Sequence, residues 1–499
     1  MSIRNCFIIV IGVISMMGCS TQISRTNQPK PNILLIVSED NGPDLGCYGN
    51  EFVHTPVLDS LAASGVKFEN AYVTYSVCSP SRSTLFTGLY PHQNGQIGLA
   101  THKYRMHQDF KTLPEYLQEA GYRTACLGKI HVNPESAIPF DYWDIRGANF
   151  SKKQLHRYAQ KGQAFAMESQ EPFFLMVNFP DAHFPVQKQV EGLPTQIIEP
   201  DEIESSLPFV GVTSERLKEY TANYYNCMNR LDESVGMLMD SLQSIGVLDN
   251  TVVIYMGDHG AQFSRGKCSN YEGALKVPMI ISWPDHISRS QVKKELISSV
   301  DILPTILDIA GMDQQEDLPG FSFLPLCLDD DIYKQREFLF ADGAGAAPFM
   351  FFPRRSVRGE RFKLIHNLVP RENPHVSFYE SHKGHFAGGT SKQTIAQADS
   401  LWKSVYNTWQ YPGEYELYDL KVDPLETKNL ANEPHFMNEF TSLRKALENW
   451  QVATSDPFRD KHKLKMLIHE MDSVAQDYPA LHYRKDKEFE WQYPDYLYN

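Results

Sequence analysis

The chain has 499 residues, 42% of them hydrophobic and 22% charged, the balance of a globular protein with room for one large domain and a smaller one. Its 47 Lys and Arg face 61 Asp and Glu, a formal net charge of −14 at pH 7. That excess of acid argues against nonspecific nucleic-acid binding, which needs a basic surface, so no nucleic-acid partner is expected.

The N-terminus reads as a targeting segment. Arg4 supplies a positive start, and Phe7 to Met17 form an apolar run too short to span a bilayer. Met16-Met17-Gly18-Cys19 resembles a bacterial lipobox, with Met16 where Leu is more usual. Residues 1–18 are therefore expected to be a lipoprotein signal peptide, Cys19 the lipidated residue and 19–30 a polar linker. Such a protein is exported and held by its lipid on a membrane, the outer membrane, facing the periplasm or the cell surface, without crossing it. Plain cleaved secretion is the alternative. No later stretch is long and apolar enough to span.

Pro31 to Val37 is a continuous apolar run ending in Ser38-Glu39-Asp40-Asn41-Gly42. This is the pattern of a buried strand that delivers acids at its carboxyl end. Helical spacing over 55–65 closes at Gly65, and Leu113 to Gly121 repeats the plan before a short strand at 124–127. Phe173 to Phe179 is another buried strand, Tyr220 to Ile245 a long amphipathic helix, and 251–256 and 277–283 further strands. Strands alternating with helices predict an α/β sandwich with a mainly parallel central sheet over residues 31–340. Ligands of such sheets bind beyond the carboxyl ends of the strands. Residues 341–499 are assigned to a smaller C-terminal subdomain and tail. There, short antiparallel strands are expected at 356–367 and 415–420, and a closing helix at 437–452. The charged, aromatic tail after Ser455 gives no clear pattern.

The cysteines, at 6, 19, 47, 78, 126, 227, 268 and 327, show no paired spacing and no C-x-x-C. Neither a disulfide framework nor a zinc ribbon is expected.

Two pairs of candidate metal ligands follow strands. Glu39 and Asp40 end the first, and Asp258 and His259 lie in Met256-Gly257-Asp258-His259-Gly260. Buried acids are costly unless solvated or paired with a cation, which makes these residues metal candidates; an N-cap role for Asp40 is the plainer alternative. Hard oxygen ligands suit Ca²⁺ or Mg²⁺ rather than zinc. In Gly128-Lys129-Ile130-His131, alternation puts Lys129 and His131 on one face. Asp181-Ala182-His183-Phe184-Pro185 follows the strand at 173–179, and Lys267 lies in Arg265-Gly266-Lys267-Cys268.

Cys78 opens the run Cys78-Ser79-Pro80-Ser81-Arg82, which continues to Thr87-Gly88. The run resembles the C-x-P-x-R signature of the type I sulfatases, and with the motifs above the chain is identified as a member of that family. The resemblance implies an alkaline-phosphatase-like fold. It implies that a maturation enzyme oxidises Cys78 to formylglycine, and that one calcium ion per chain is held by Glu39, Asp40, residue 78, Asp258 and His259. Glu39 stands where Asp is usual. By the same resemblance, Arg82 and Lys129 hold the aldehyde hydrate, His131 is the base that expels sulfate, His183 is the general acid, and Lys267 binds sulfate oxygens.

Tyr90-Pro91-His92-Gln93-Asn94-Gly95, the stretch Gly128 to Pro134, and Arg355-Ser356-Val357-Arg358 resemble the heparan N-sulfatase (sulfamidase) branch. Arg354, Arg355 and Arg358 are expected to line the mouth and grip a carboxylate or second sulfate, with a solvated strand face as the alternative. The expected activity is release of sulfate from a sulfated polysaccharide or oligosaccharide, a glycosaminoglycan or an algal polymer such as ulvan. One alternative is an enzyme specific for the N-sulfate of heparan. Others are a phosphonate or phosphate monoester hydrolase, and a non-catalytic glycan-binding lipoprotein. The last would have no need of Cys78 together with Lys129, His131, His183 and Lys267.

Overall fold

The computed structural model describes residues 30–147, 152–330 and 332–499. The segments expected to be a signal peptide, a lipobox with Cys19 and a linker lie, up to residue 29, outside the described residues. The central sheet has eight strands: β1 (Asn32–Ser38), β2 (Val66–Tyr72), β3 (Arg123–Leu127), β4 (Tyr142–Asp144), β5 (Phe173–Phe179), β6 (Thr251–Gly257), β7 (Met279–Ser282) and β8 (Gln291–Ser298). They lie in the order β4-β3-β5-β1-β6-β7-β2-β8. All neighbours are parallel except β7, which runs antiparallel to both β6 and β2. The sheet is mainly parallel, as its continuous apolar strands predict.

β1 lies at the centre, and its side chains feed two cores. Leu34 and Ile36 join Leu175 and Val177 on one face, while Ile33, Leu35 and Val37 join Phe174 and Met176 on the other. Both faces are covered, which is why the strand reads as an unbroken apolar run rather than an alternating one. One cover is the helix Glu215–Ser244. It begins at Glu215 rather than Tyr220 because the Ser214 hydroxyl accepts the Leu217 N–H and caps it. β2 and β8 carry no apolar run to announce them. β8 is an edge strand whose Lys293 and Lys294 blunt it against further pairing.

A second sheet holds β9 (Leu339–Gly343), β10 (Arg354–Arg358), β11 (Phe362–Asn367) and β12 (Tyr415–Asp419), antiparallel in the order β12-β11-β10-β9. The helix Met437–Ala453 packs on β10 and β11. This sheet is not a separate body, since Pro31–Asn499 forms one unit. Leu339 and Ala341 of β9 belong to a core of the central sheet, and the Asp342 N–H donates to Thr74 O at 2.8 Å.

The tail after Ser455 contains the helix Lys461–Asp477 and then folds back over residues 95–105. Trp491 stacks on Tyr104 with ring centroids 4.8 Å apart, and the Tyr493 hydroxyl bonds the backbone at Gly95 and Arg105. The Tyr483 hydroxyl bonds His102 Nδ1. Among the described residues no helix is long and apolar enough to cross a membrane, and Cys47, Cys78, Cys126, Cys227, Cys268 and Cys327 are all free thiols.

The clamp on His102 has a measurable consequence. Burial, then the charge of Arg484, lowers its pKa from 6.5 to about 3. Below pH 6.5 the unfolded chain takes up this proton while the folded one does not until about 3. The contribution is therefore complete above 6.5 and is lost as pH falls toward 3. The urea midpoint should fall through that window, and His102→Gln should flatten the fall. A slope unchanged by the substitution contradicts this assignment.

Candidate active site

The carboxyl ends of β1, β3, β5 and β6 meet the N-terminus of the helix Cys78–Thr87. β1 leads into Glu39 and Asp40, β6 into Asp258 and His259, β3 into Lys129 and His131, and β5 into Asp181 and His183. Cys78 is the first residue of a helix that is buried along its whole length. The open N–H groups and dipole at that end favour negative charge.

Cys78 Sγ lies 3.3 Å from His259 Nε2, 3.4 Å from Lys267 Nζ and 3.8 Å from Asp40 Oδ1. Lys267 Nζ is 2.8 Å from each Asp40 carboxylate oxygen. Asp40, Cys78, Asp258 and His259 each offer one donor atom, and these atoms lie within 4.8 Å of one another. Two carboxylates in such a group fit a hard divalent cation.

Glu39 is placed differently from the expectation that it ligates a metal. Its carboxylate turns to Arg82 and Lys129, each at 3.1 Å, and it is not one of the four converging donors. The longer side chain carries its charge past the acid cluster to the neighbouring cations. Arg82 also departs from expectation. Its Nε meets Asp258 Oδ2 at 3.2 Å, one amino group bonds Asn178 Oδ1 and Lys129 O, and the other pairs with Glu39 and Asp258. With its donors committed to these partners, Arg82 fixes the acids in place rather than gripping the side chain of residue 78.

The local charges set the protonation states. Burial pushes the Cys78 thiol up, but Lys129 and Lys267 outweigh it and leave the pKa below its ordinary value. Burial also opposes ionisation of Glu39, yet Lys129, His183 and Arg82 hold it down at about 2. Both ring nitrogens of His131 are buried and make no hydrogen bond. Burial, reinforced by Lys129 and Arg82, keeps its pKa well below 6.5, so it stands as a neutral imidazole able to accept a proton. Burial and Lys129 lower His183 to about 4. Its Nδ1–H donates to Phe184 O at 2.9 Å, which fixes the neutral tautomer with the proton on Nδ1 and the basic lone pair on Nε2.

Two of the site residues also carry backbone strain. Asp40 and His131 adopt φ of 52° and 60°, a left-handed conformation that non-glycine residues rarely take. Gly128, at φ +98°, starts the turn that presents Lys129. A Cβ there would lie 2.4 Å from Asn178 O, so only glycine fits.

Residues 31–312 match the sulfatase family profile. The chain belongs to the sulfatase family. Residues 257–383 also match the profile described as N-sulphoglucosamine sulphohydrolase, C-terminal. Human N-sulphoglucosamine sulphohydrolase is 31% identical over 465 residues, covering 86% of this chain and 91% of that one. An ulvan-active sulfatase of Formosa agariphila is 31% identical over 461 residues, covering 89% of this chain and 83% of its own length. A solved structure of a putative sulfatase from Bacteroides fragilis superposes with TM-score 0.67 at 22% identity, covering 87% of this chain and 98% of that one. The fold is thus the alkaline-phosphatase-like one of sulfatases, and the protein is a sulfuric ester hydrolase.

Three arginines of the sulfatase do not lie where the sequence reading put them. β10 is an inner strand with all five residues buried, so its side chains reach the seams on either side rather than the mouth. Arg355 pairs with Asp456 at 2.8 Å and Asp342 at 3.2 Å. On the other face, Arg354 bonds His375 Nδ1 at 3.0 Å, and Arg358 lies 3.7 Å from Glu272 and over the Tyr72 ring. Arg355→Ala should therefore act on folding. Stranding two buried carboxylates costs about 3–5 kcal/mol, readable as a drop in the urea midpoint. A raised KM at unchanged stability would show that Arg355 faces substrate after all.

The sequence reading missed the sulfatase residues that hold the site in shape. Asn178 bonds Arg82, and its polar side chain inside the apolar strand Val177-Asn178-Phe179 is a signal that was there to be read. Arg230 grips Asp181 through two bonds of 2.8 and 2.7 Å. Lys153 donates to His183 O at 2.8 Å and pairs with Asp181 at 3.3 Å. These two come from remote elements and belong to no local motif, so only the fold reveals them. Together they fix the loop that presents His183.

Proposed function

We propose that this sulfatase removes sulfate from a sulfated polysaccharide or its oligosaccharides, using formylglycine made from Cys78 and one calcium ion beside it. The observation that carries this reading is the meeting of Cys78 with Asp40, Asp258, His259 and Lys267 at one buried point. The saccharide class is supported by the relatives, which act on N-sulphoglucosamine and on ulvan. The reading extends to a separate maturation enzyme for Cys78. It also includes export as a lipoprotein anchored through Cys19, supported by the apolar run and lipobox-like Met16-Met17-Gly18-Cys19.

Asp40, Asp258, His259 and the side chain of residue 78 would hold the calcium, whose chemistry when bound is to polarise the sulfuryl oxygens. The aldehyde hydrate supplies two hydroxyls on one carbon, one to attack sulfur and one whose deprotonation lets sulfate leave. The protein's own part follows from the positions above. Lys267 and Lys129, both buried, bring fixed positive charge to the sulfuryl oxygens. Arg82, occupied by Glu39 and Asp258, keeps the acids aligned. His131, neutral and unbonded, accepts the hydroxyl proton at the release step. His183 Nε2 delivers a proton to the departing sugar oxygen. An anionic sulfate ester lying alongside favours protonation of His183 by Coulomb attraction.

A desulfation screen of the matured protein, with glycosaminoglycan and algal oligosaccharides, tests the function. Release of sulfate from one class is the expected outcome, and failure on every sulfated saccharide overturns it. His183→Ala should slow sugar sulfates roughly 10²–10⁴-fold in kcat. It should slow 4-nitrophenyl sulfate far less, because nitrophenolate leaves without protonation. Equal losses on both would remove His183 from the acid role.

A further inference from the structure

Two segments outside this machinery reach the mouth of the site. The first is the loop 383–390. Gly388 bridges Phe263, and Arg216 donates to the carbonyls of Ala387 and Gly389. The Tyr379 hydroxyl, on the helix just before the loop, donates to Lys267 O at 2.9 Å. The loop is thus tied to the segment that carries Lys267. It presents His385 at the surface, with ring centroids 5.5 Å from His183 and 4.9 Å from Phe184. An imidazole therefore stands beside the group that protonates the leaving oxygen.

The second segment is the C-terminal tail. The Ala100 N–H donates to Ser79 Oγ at 2.9 Å, one residue from Cys78, and the Thr101 carbonyl next to it accepts Arg484 Nε at 2.8 Å. Arg484 is exposed, and among the described residues no hydrogen bond takes its two amino groups. A chain of rings joins the segments. His102 meets Phe349 at 5.9 Å, Phe349 meets Phe378 at 5.0 Å, and Phe378 meets Phe386 at 5.5 Å. The Arg484 charge acts on both His102 and His385.

We propose that His385 and Arg484 form a subsite for the sugar that carries the scissile sulfate. The His385 imidazole hydrogen-bonds a ring hydroxyl beside that sulfate, and the Arg484 fork pairs with a second anionic group on the saccharide, a carboxylate or a further sulfate. A chain of net charge −14 needs a local cation to hold a polyanion at its mouth. Arg354, Arg355 and Arg358 are buried and cannot supply it, whereas Arg484 is exposed and its guanidinium geometry matches a carboxylate or sulfate. The proposal rests on the saccharide reading above.

The test uses full-length matured protein and compares kcat/KM for heparin-derived and ulvan-derived sulfated disaccharides with that for 4-nitrophenyl sulfate. Arg484→Ala should lower the ratio of saccharide to nitrophenyl activity roughly tenfold, through KM. His385→Ala should also lower it, with partial rescue by His385→Asn. Carboxyl-reduced disaccharides, and disaccharides lacking the second sulfate, identify which anion Arg484 reads: the sensitivity to Arg484→Ala vanishes with the group that it binds. Calorimetric binding of the same disaccharides to the Cys78→Ala protein reads the subsite without turnover, so it stands even if no saccharide is desulfated. Ratios and binding that ignore both substitutions overturn the proposal, whereas failure of the unsubstituted enzyme on every sulfated saccharide counts against the proposed function instead.

Discussion

Cys78→Ala should abolish turnover, by on the order of 10⁴-fold or more, and leave the fold standing. The activity loss follows because no neighbouring group supplies a nucleophile that also regenerates itself; Ser79 and Ser81 are already bonded to the Ala100 N–H and to Asp258 O. The fold survives because the thiol is no cation's sole partner. Lys267 keeps both Asp40 oxygens at 2.8 Å, and Lys129 keeps Glu39 at 3.1 Å. The melting temperature should therefore move little while sulfate release ends. Peptide mass analysis of active wild-type protein should find the aldehyde mass at residue 78. Fully active enzyme with an intact thiol there would sink the mechanism.

Removal of calcium should have the second largest effect. Chelation should cost on the order of 100-fold in activity, restored by added calcium. Asp258→Asn should weaken the site further, since one Asp258 oxygen accepts the Asp40 N–H at 3.0 Å and the other takes Arg82 at 3.2 Å, so the change disturbs both partners as well as the ion. Calcium at a hundred times its dissociation constant should stabilise the fold by about 2.7 kcal/mol, seen as a higher melting temperature in wild type and a smaller rise in the variant. Chelated protein with undiminished activity and an unmoved melting temperature would rule out the ion.

Much of the fold could be read along the chain. β1, β5 and β6 declare themselves as apolar runs because helices cover both their faces. β2 and β8 do not, because their side chains alternate or face water at the edge of the sheet. The motifs named the residues that meet at the site, since each sits just past a strand end. What they did not reveal is how the charges divide. Glu39 and Asp40 are adjacent in sequence, yet one turns to Arg82 and Lys129 and the other to Lys267. The arginines of β10 were misplaced because strand alternation tells two faces apart but not which face meets solvent. Arg484 carries no local signal at all. Its position depends on a tail that folds back across residues 95–105.

That return of the tail ties one wall of the molecule together across almost the whole chain. Trp491 Nε1–H donates to the His102 carbonyl, 389 positions away in sequence, and the Tyr493 hydroxyl donates to the Gly95 and Arg105 carbonyls. Contacts so distant close large loops at an entropic cost, so the segment that carries the Ala100 N–H to Ser79 takes its final packing only in a late, nonlocal step of folding.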